Sequence, residues 1–274
     1  MLCYDEYLNE FAQFDSPFKC SEGSDCFNIV GSCNGILCLA AAELSHDWNH
    51  FYFLNPSIRK SFKLPEPIFT IDILGEIFGY MLGFGYDPVT NDYKVVRVLH
   101  TLHSFPPHVD VYKLSTGVWE DISHVSLPYK FFASTPHAYV NGSSHWIVSC
   151  WVEGSLGLRG VIVFFDMHDE KFSELILPSS LINESRPRYD EMFLFVLEGS
   201  LCLVDNNYDK SKPIDIWIMR EYGAPNSWVK QFIIQSYHFA RTFPLRTEIF
   251  WTPYINGRFG RNELGISNGY KERW

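Results

Sequence analysis

The chain has no long hydrophobic run: nothing in it approaches the roughly 18 apolar residues that a membrane-spanning helix needs. Its opening Met1-Leu-Cys-Tyr-Asp-Glu has no basic start followed by an apolar stretch, so no secretion signal is expected and a cytoplasmic or nuclear setting follows. Positive charge is scarce, with 22 Lys and Arg against 32 Asp and Glu and a net charge of −10. Binders of phosphate backbones cluster Lys and Arg on one face, so this balance speaks against nucleic acid as a partner. Cysteines number seven, an odd count without a Cys-x-x-Cys pair, which speaks against a disulfide framework. Cys38, Cys150 and Cys202 sit in apolar strands, where a thiol behaves as a small buried hydrophobe. Motifs that carry chemistry are missing too: there is no Gly-x-Ser-x-Gly elbow, no phosphate-binding Gly-x-x-x-x-Gly-Lys-Ser/Thr loop and no His-Glu-x-x-His helix.

What the chain has in abundance is core-forming material, 46% hydrophobic and 17% aromatic over 274 residues, enough for a large folded unit. It also repeats itself. A short strand, a glycine turn, an apolar strand, a third strand with a polar tip and a fourth leading to proline recur four times between residues 26 and 236. The strands are expected at 27–31, 36–40, 51–54 and 61–65, then 80–85, 93–98, 109–114 and 118–122. The third set is 138–142, 144–150, 161–166 and 171–178, and the fourth is 193–199, 201–204, 214–219 and 228–232. Gly85, Gly142 and Gly199 are 57 positions apart in each step and are read as closing the first turn of successive repeats, with Gly35 lying 50 before Gly85. Strand-only units at this period stack around an axis, because a lone four-stranded sheet cannot bury both of its faces.

The fold class expected is therefore all-β: a kelch-like β-propeller of four-stranded antiparallel blades, forming a single domain over residues 1–274. Residues 1–25 and 237–274 are read as closing or irregular ends, since 258–274 does not continue the pattern and suggests an incomplete or altered carboxyl end. A Trp recurs near the start of the fourth strand, at Trp119 and Trp228 with Phe172 in the third repeat, and is read as packing between blades.

The order Gly31-Ser-Cys-Asn-Gly-Ile-Leu-Cys-Leu39, Leu54-Asn-Pro-Ser-Ile-Arg-Lys60, Gly83-Phe-Gly-Tyr-Asp-Pro-Val-Thr-Asn-Asp-Tyr-Lys-Val-Val-Arg97 and Val111-Tyr-Lys-Leu-Ser-Thr-Gly-Val-Trp119 resembles the F-box associated domain of plant F-box proteins, including their S-locus F-box subgroup. The resemblance runs from about residue 26 to 250. It implies a non-catalytic receptor whose propeller holds a target protein for ubiquitination, while an amino-terminal F-box docks on a Skp adaptor and cullin. No F-box-like helical segment precedes Met1, so adaptor binding is expected only with an upstream F-box; the alternative is an interaction protein or decoy without one.

On a kelch-like strand order, the loops between second and third strands (43–50, 102–108, 153–160 and 206–213) share one rim with the connections between repeats (66–79, 124–137 and 179–191). The expected partner contacts on that rim are Trp48, Phe69, Phe105, Trp151, Arg159, Arg188, Tyr189 and Tyr208, residue types that anchor protein interfaces. Acidic Glu43, Asp47, Glu153, Asp205 and Asp209 would favour a basic target. A propeller enzyme, such as a glycosidase using Asp110, Asp166 and Asp215 or an oxidase, is the rival reading, but carboxylates recurring from repeat to repeat serve the blade rather than one asymmetric site. His46, His50, His100, His103 and His108 lie in loop or strand rather than on one helical face, so no metal and no other cofactor is expected. Gly142-Ser-Ser-His145 reads as a hairpin entering a strand, not as a nucleophile with its base.

Overall fold

The structure, a computed structural model, describes residues 2–4, 10–13, 27–41, 49–75, 77–101, 105–128, 131–132, 137–151, 158–182, 192–206 and 213–234. They form an all-β propeller arrangement of four antiparallel blades, each a meander in chain order. A separate hairpin pairs β1 (Leu2–Tyr4) with β2 (Glu10–Gln13). The first blade comprises β3 (Phe27–Cys33), β4 (Ile36–Ala41), β5 (His50–Asn55) and β6 (Lys60–Lys63). One helical turn, α1 (Ile71–Leu74), leads into the second: β7 (Ile77–Asp87), β8 (Asp92–Thr101), β9 (His108–Lys113) and β10 (Val118–Asp121).

The inner strand of the third blade is split. Both β11 (Phe131–Phe132) and β12 (Ala138–Val140) pair with β13 (Ser143–Trp151), one at each end of it, before β14 (Leu158–Asp166) and β15 (Lys171–Leu175) follow. The fourth blade comprises β16 (Met192–Leu197), β17 (Ser200–Asp205), β18 (Ile214–Met219) and β19 (Trp228–Ile234). Among the described residues no helix is long and apolar enough to cross a membrane.

Stacking follows from the pleat, which sends alternate side chains to opposite faces. Phe51, Phe53 and Leu64 of the first blade meet Phe84, Val95 and Tyr112 of the second. Val96, Val98 and Val111 leave the other face of that blade for Trp146, Val163 and Phe165 of the third. Ile147 and Ile162 then meet Leu194 and Leu203 of the fourth. Second strands such as β8 are buried on both faces, hence their nearly unbroken apolar runs. Burying each such aliphatic side chain is worth about 1.5–3 kcal/mol.

The recurring tryptophans fasten neighbouring blades. Trp119 Nε1 donates to the Pro65 carbonyl at 2.8 Å, and Trp228 Nε1 to the Ile176 carbonyl at 3.0 Å, in each case onto the segment leaving the preceding blade. Phe172 packs on Phe165 and against the core that blades two and three share.

The glycine register needs one correction. Asn34–Gly35, Asn141–Gly142 and Glu198–Gly199 hold positive φ at both positions, the two-residue turn whose twist suits a hairpin. Gly85 does no such work: it lies inside β7, and residues 88–91 make the turn, with Asn91 at φ 56°. The demand on Gly85 is instead a close approach, since a Cβ there would run into the Tyr139 ring of the third blade. Gly31 makes room for the His137 ring in the same way, so blade three seats two rings into notches on the inner strands of blades one and two.

Candidate partner-binding rim

In an antiparallel meander the loops between second and third strands and the crossovers between blades emerge at the same end. That rim is anchored by an ion pair. Alternation on β8 and β9 places Arg97 directly opposite Asp110, where Nε and Nη2 donate to the two carboxylate oxygens at 3.0 and 2.8 Å. Both side chains are buried. The same guanidinium, 5.7 Å from the Trp119 ring centroid, donates to the Asn49 side-chain oxygen at 3.0 Å and the Phe69 carbonyl at 2.5 Å. One cation thus ties down the end of the first blade's loop and the crossover into the second.

Above this clamp the Phe69 ring packs on His108, with centroids 4.6 Å apart, joining that crossover to the loop before β9. Ile68, Ile73 and Phe105 stand out on the same rim at 39%, 68% and 55% exposure. At the exit from blade two the Ser123 hydroxyl bonds Val109, and the Ser123 backbone N–H donates to Asp121. Hydrogen bonding to Ser123 holds the Asp121 carboxyl below its ordinary range, against the opposing effect of burial.

The expected contact residues distribute unevenly. Phe69 is half-buried against His108, and Phe105 is exposed. Trp151 ends β13 opposite Leu158. Arg159 is exposed but paired with Glu174 at 2.9 Å, so its guanidinium is already engaged. Trp48, Arg188, Tyr189 and Tyr208 lie outside the described residues, as do Glu43, Asp47, Glu153 and Asp209. Asp205 requires correction: at 1% exposure in the core of blade four it shows no charge to a partner.

The carboxylates considered for catalysis have structural work. Asp110 holds Arg97, and Asp166 accepts the backbone N–H groups of His168 and Asp169 in a turn at 2.8 and 2.9 Å. Asp215 holds Lys230 at 2.6 Å. Although Asp110 and Asp215 fall at like points of their strands, the first is fully buried and the second only partly. The three belong to different sheets. His145 donates Nδ1–H to the Ala138 carbonyl and accepts the Tyr222 hydroxyl at Nε2, with distances of 3.1 and 2.8 Å. Burial holds His145 and His137 down to about 4, so both are neutral imidazoles at neutral pH. Burial also pushes the Cys33 thiol up to about 11 and that of Cys202 to about 12, which leaves them unreactive. Among the described residues no three His, Cys, Asp or Glu side chains are grouped to hold a metal.

The Arg97 clamp escaped the sequence reading, although a signal existed. An arginine inside Val95-Val96-Arg97-Val98-Leu99, a run buried on both faces, must have a carboxylate partner, and alternation on the next strand supplies Asp110.

A family profile described as "F-box associated beta propeller domain" matches residues 5–255. F-box protein CPR1 of Arabidopsis thaliana is 30% identical over 254 residues, covering 86% of this chain and 58% of its own length. F-box protein At3g07870 of the same plant is 30% identical over 237 residues, covering 77% of this chain and 52% of its own. The chain therefore spans little more than half the length of the curated relatives it matches. Among solved structures, an exo-β-1,3-galactanase from Clostridium thermocellum aligns with 86% of this chain and 52% of its own, at 8% identity and a TM-score of 0.45, a likeness too slight to bear on activity.

Proposed function

The chain belongs to the F-box associated β-propeller family, and from that premise we propose that it is the target-holding domain of a Skp–cullin–F-box ubiquitin ligase receptor. Target capture falls to the propeller, while adaptor docking falls to an F-box elsewhere in the full-length protein. The chemistry of ubiquitin transfer belongs to other subunits, in keeping with carboxylates and histidines that are committed to holding the blades.

The observation that carries this reading is the rim itself: exposed Ile68, Ile73 and Phe105 on segments that Arg97 and the Phe69–His108 contact fix in place. Exposed apolar side chains on an ordered support suit an interface, because little entropy is lost when a partner covers them. The test is affinity capture from cell extract with the proteasome inhibited, using the parent chain, Ile73→Ser with Phe105→Ser, and a control, Val89→Ser, which is 69% exposed at the opposite rim. A captured, ubiquitinated protein present with parent and control and absent with the rim variant supports the reading. Identical captured sets from all three reject it.

A further inference from the structure

The outer corner of blade one departs in charge from the rest of the chain. Residues 55–63, Asn-Pro-Ser-Ile-Arg-Lys-Ser-Phe-Lys, carry three cations and no acid in a protein of net charge −10. Several cations elsewhere are spoken for: Lys94 and Lys113 hold Glu170, Arg97 holds Asp110, Arg159 holds Glu174 and Lys230 holds Asp215. Arg59, Lys60 and Lys63 are exposed and hold no carboxylate among the described residues. Beside them two large apolar side chains face water, Ile58 at 61% and Phe62 at 52% exposure.

The backbone presents this set in a fixed form. Asn55 Oδ1 accepts the N–H groups of Ser57 and Ile58 at 3.0 and 3.4 Å, and Arg59 turns at φ 52° with its N–H on the Pro56 carbonyl. Lys60–Lys63 is then the edge strand of its sheet, exposed at all four positions. Phe62 lies opposite Phe53, and the Leu64 N–H bonds the Phe51 carbonyl, so the N–H and C=O groups of Ser61 and Lys63 turn outward from β5. Lysine on an edge strand commonly discourages stray pairing. That role needs the lysines alone and gives no reason for Ile58 and Phe62 to stand in water beside them.

We infer that the turn and edge strand from Asn55 to Lys63 form a second docking surface, which takes an extended acidic segment of a partner protein with apolar side chains alternating among its carboxylates. Outward backbone groups of Ser61 and Lys63 pair with the incoming strand; Phe62 on one face, with Ile58 of the turn, receives its apolar side chains, and Lys63 on the other face, with Arg59 of the turn, meets its acids. This surface is built from the turn between third and fourth strands, at the opposite end of the blade from the rim above, and does not depend on what that rim holds.

The test uses the full 274-residue chain and a fluorescein-labelled octapeptide of alternating glutamate and valine, followed by anisotropy. Saturable binding that weakens with added salt is expected, with a loss of about tenfold or more in Arg59→Glu/Lys60→Glu/Lys63→Glu and again in Ile58→Ser/Phe62→Ser. These side chains are exposed, so both variants should melt with the parent; should either melt lower, Arg59→Ala/Lys63→Ala decides by the same loss. Equal affinity across parent and variants overturns the inference, as does equal binding of a lysine–valine peptide. Binding to phosphatidylserine vesicles without binding to the peptide overturns it too, in favour of a lipid surface.

Discussion

The Arg97 guanidinium meets the Asp110 carboxylate through two bonds, 3.0 and 2.8 Å long, with neither side chain in contact with water. Asp110→Ala leaves the cation buried without a counter-charge and is expected to cost about 3–5 kcal/mol in urea unfolding. Replacing both residues, Arg97→Met with Asp110→Leu, should cost less than the sum of the single changes. A double change that matches that sum would mean the two groups act independently.

Gly85→Ala puts a methyl group into the Tyr139 ring. Overpacking of this kind is expected to cost about 1–3 kcal/mol. Tyr139→Leu in the same chain should recover part of that loss, so a double-mutant cycle should show coupling of about 0.5 kcal/mol or more. Strictly additive losses would place the strain elsewhere.

Acid should weaken the fold in two stages. His137 and His145 are held at about 4 by burial, yet titrate near 6.5 once unfolded. Between those values the unfolded chain binds more protons, so stability falls as pH drops from 6.5 toward 4, by about 3 kcal/mol for each histidine at most. Asp87 acts lower. Burial raises its carboxyl, but bonds from Thr90, Val89 and Lys94 outweigh that and hold it well below the carboxylate range, so its contribution is lost only as pH falls below about 3.8. Urea midpoints measured from pH 7.5 to 4.5 should decline, and less steeply in His145→Gln. An unchanged slope in that variant would remove His145 from the account.

Trp228→Phe deletes the indole donor and leaves the Ile176 carbonyl without it. A loss of about 1–3 kcal/mol is expected, and Trp119→Phe should lose a similar amount through Pro65. Chemical denaturation of both variants tests this; retention of parental stability would leave those tryptophans with packing alone.

Much of the architecture was legible because pleated strands and two-residue turns write themselves locally. The branched side chains of Val95, Val96 and Val98 marked the second strand of blade two, and Asn-Gly pairs at residues 34–35 and 141–142 named two of the turns outright. Gly85 misled because spacing alone cannot separate a glycine that turns the chain from one that admits a neighbour's ring. The rim was legible as topology and not as contacts. Arg159 looked free until the neighbouring strand brought Glu174 within its reach, and Asp205 looked like a loop acid until its strand proved to run through it. Such placements depend on partners distant in sequence, as with Arg97 and Asn49, 48 positions apart.

The bonds from Trp119 back to Pro65 and from Trp228 back to Ile176 point one way along the chain. In blades two and four the indole completes its docking on an acceptor already synthesised, and neither of these tryptophans waits for a residue yet to be made. A ribosome emitting this polypeptide can therefore fasten each of these two blades to its predecessor as soon as its fourth strand emerges.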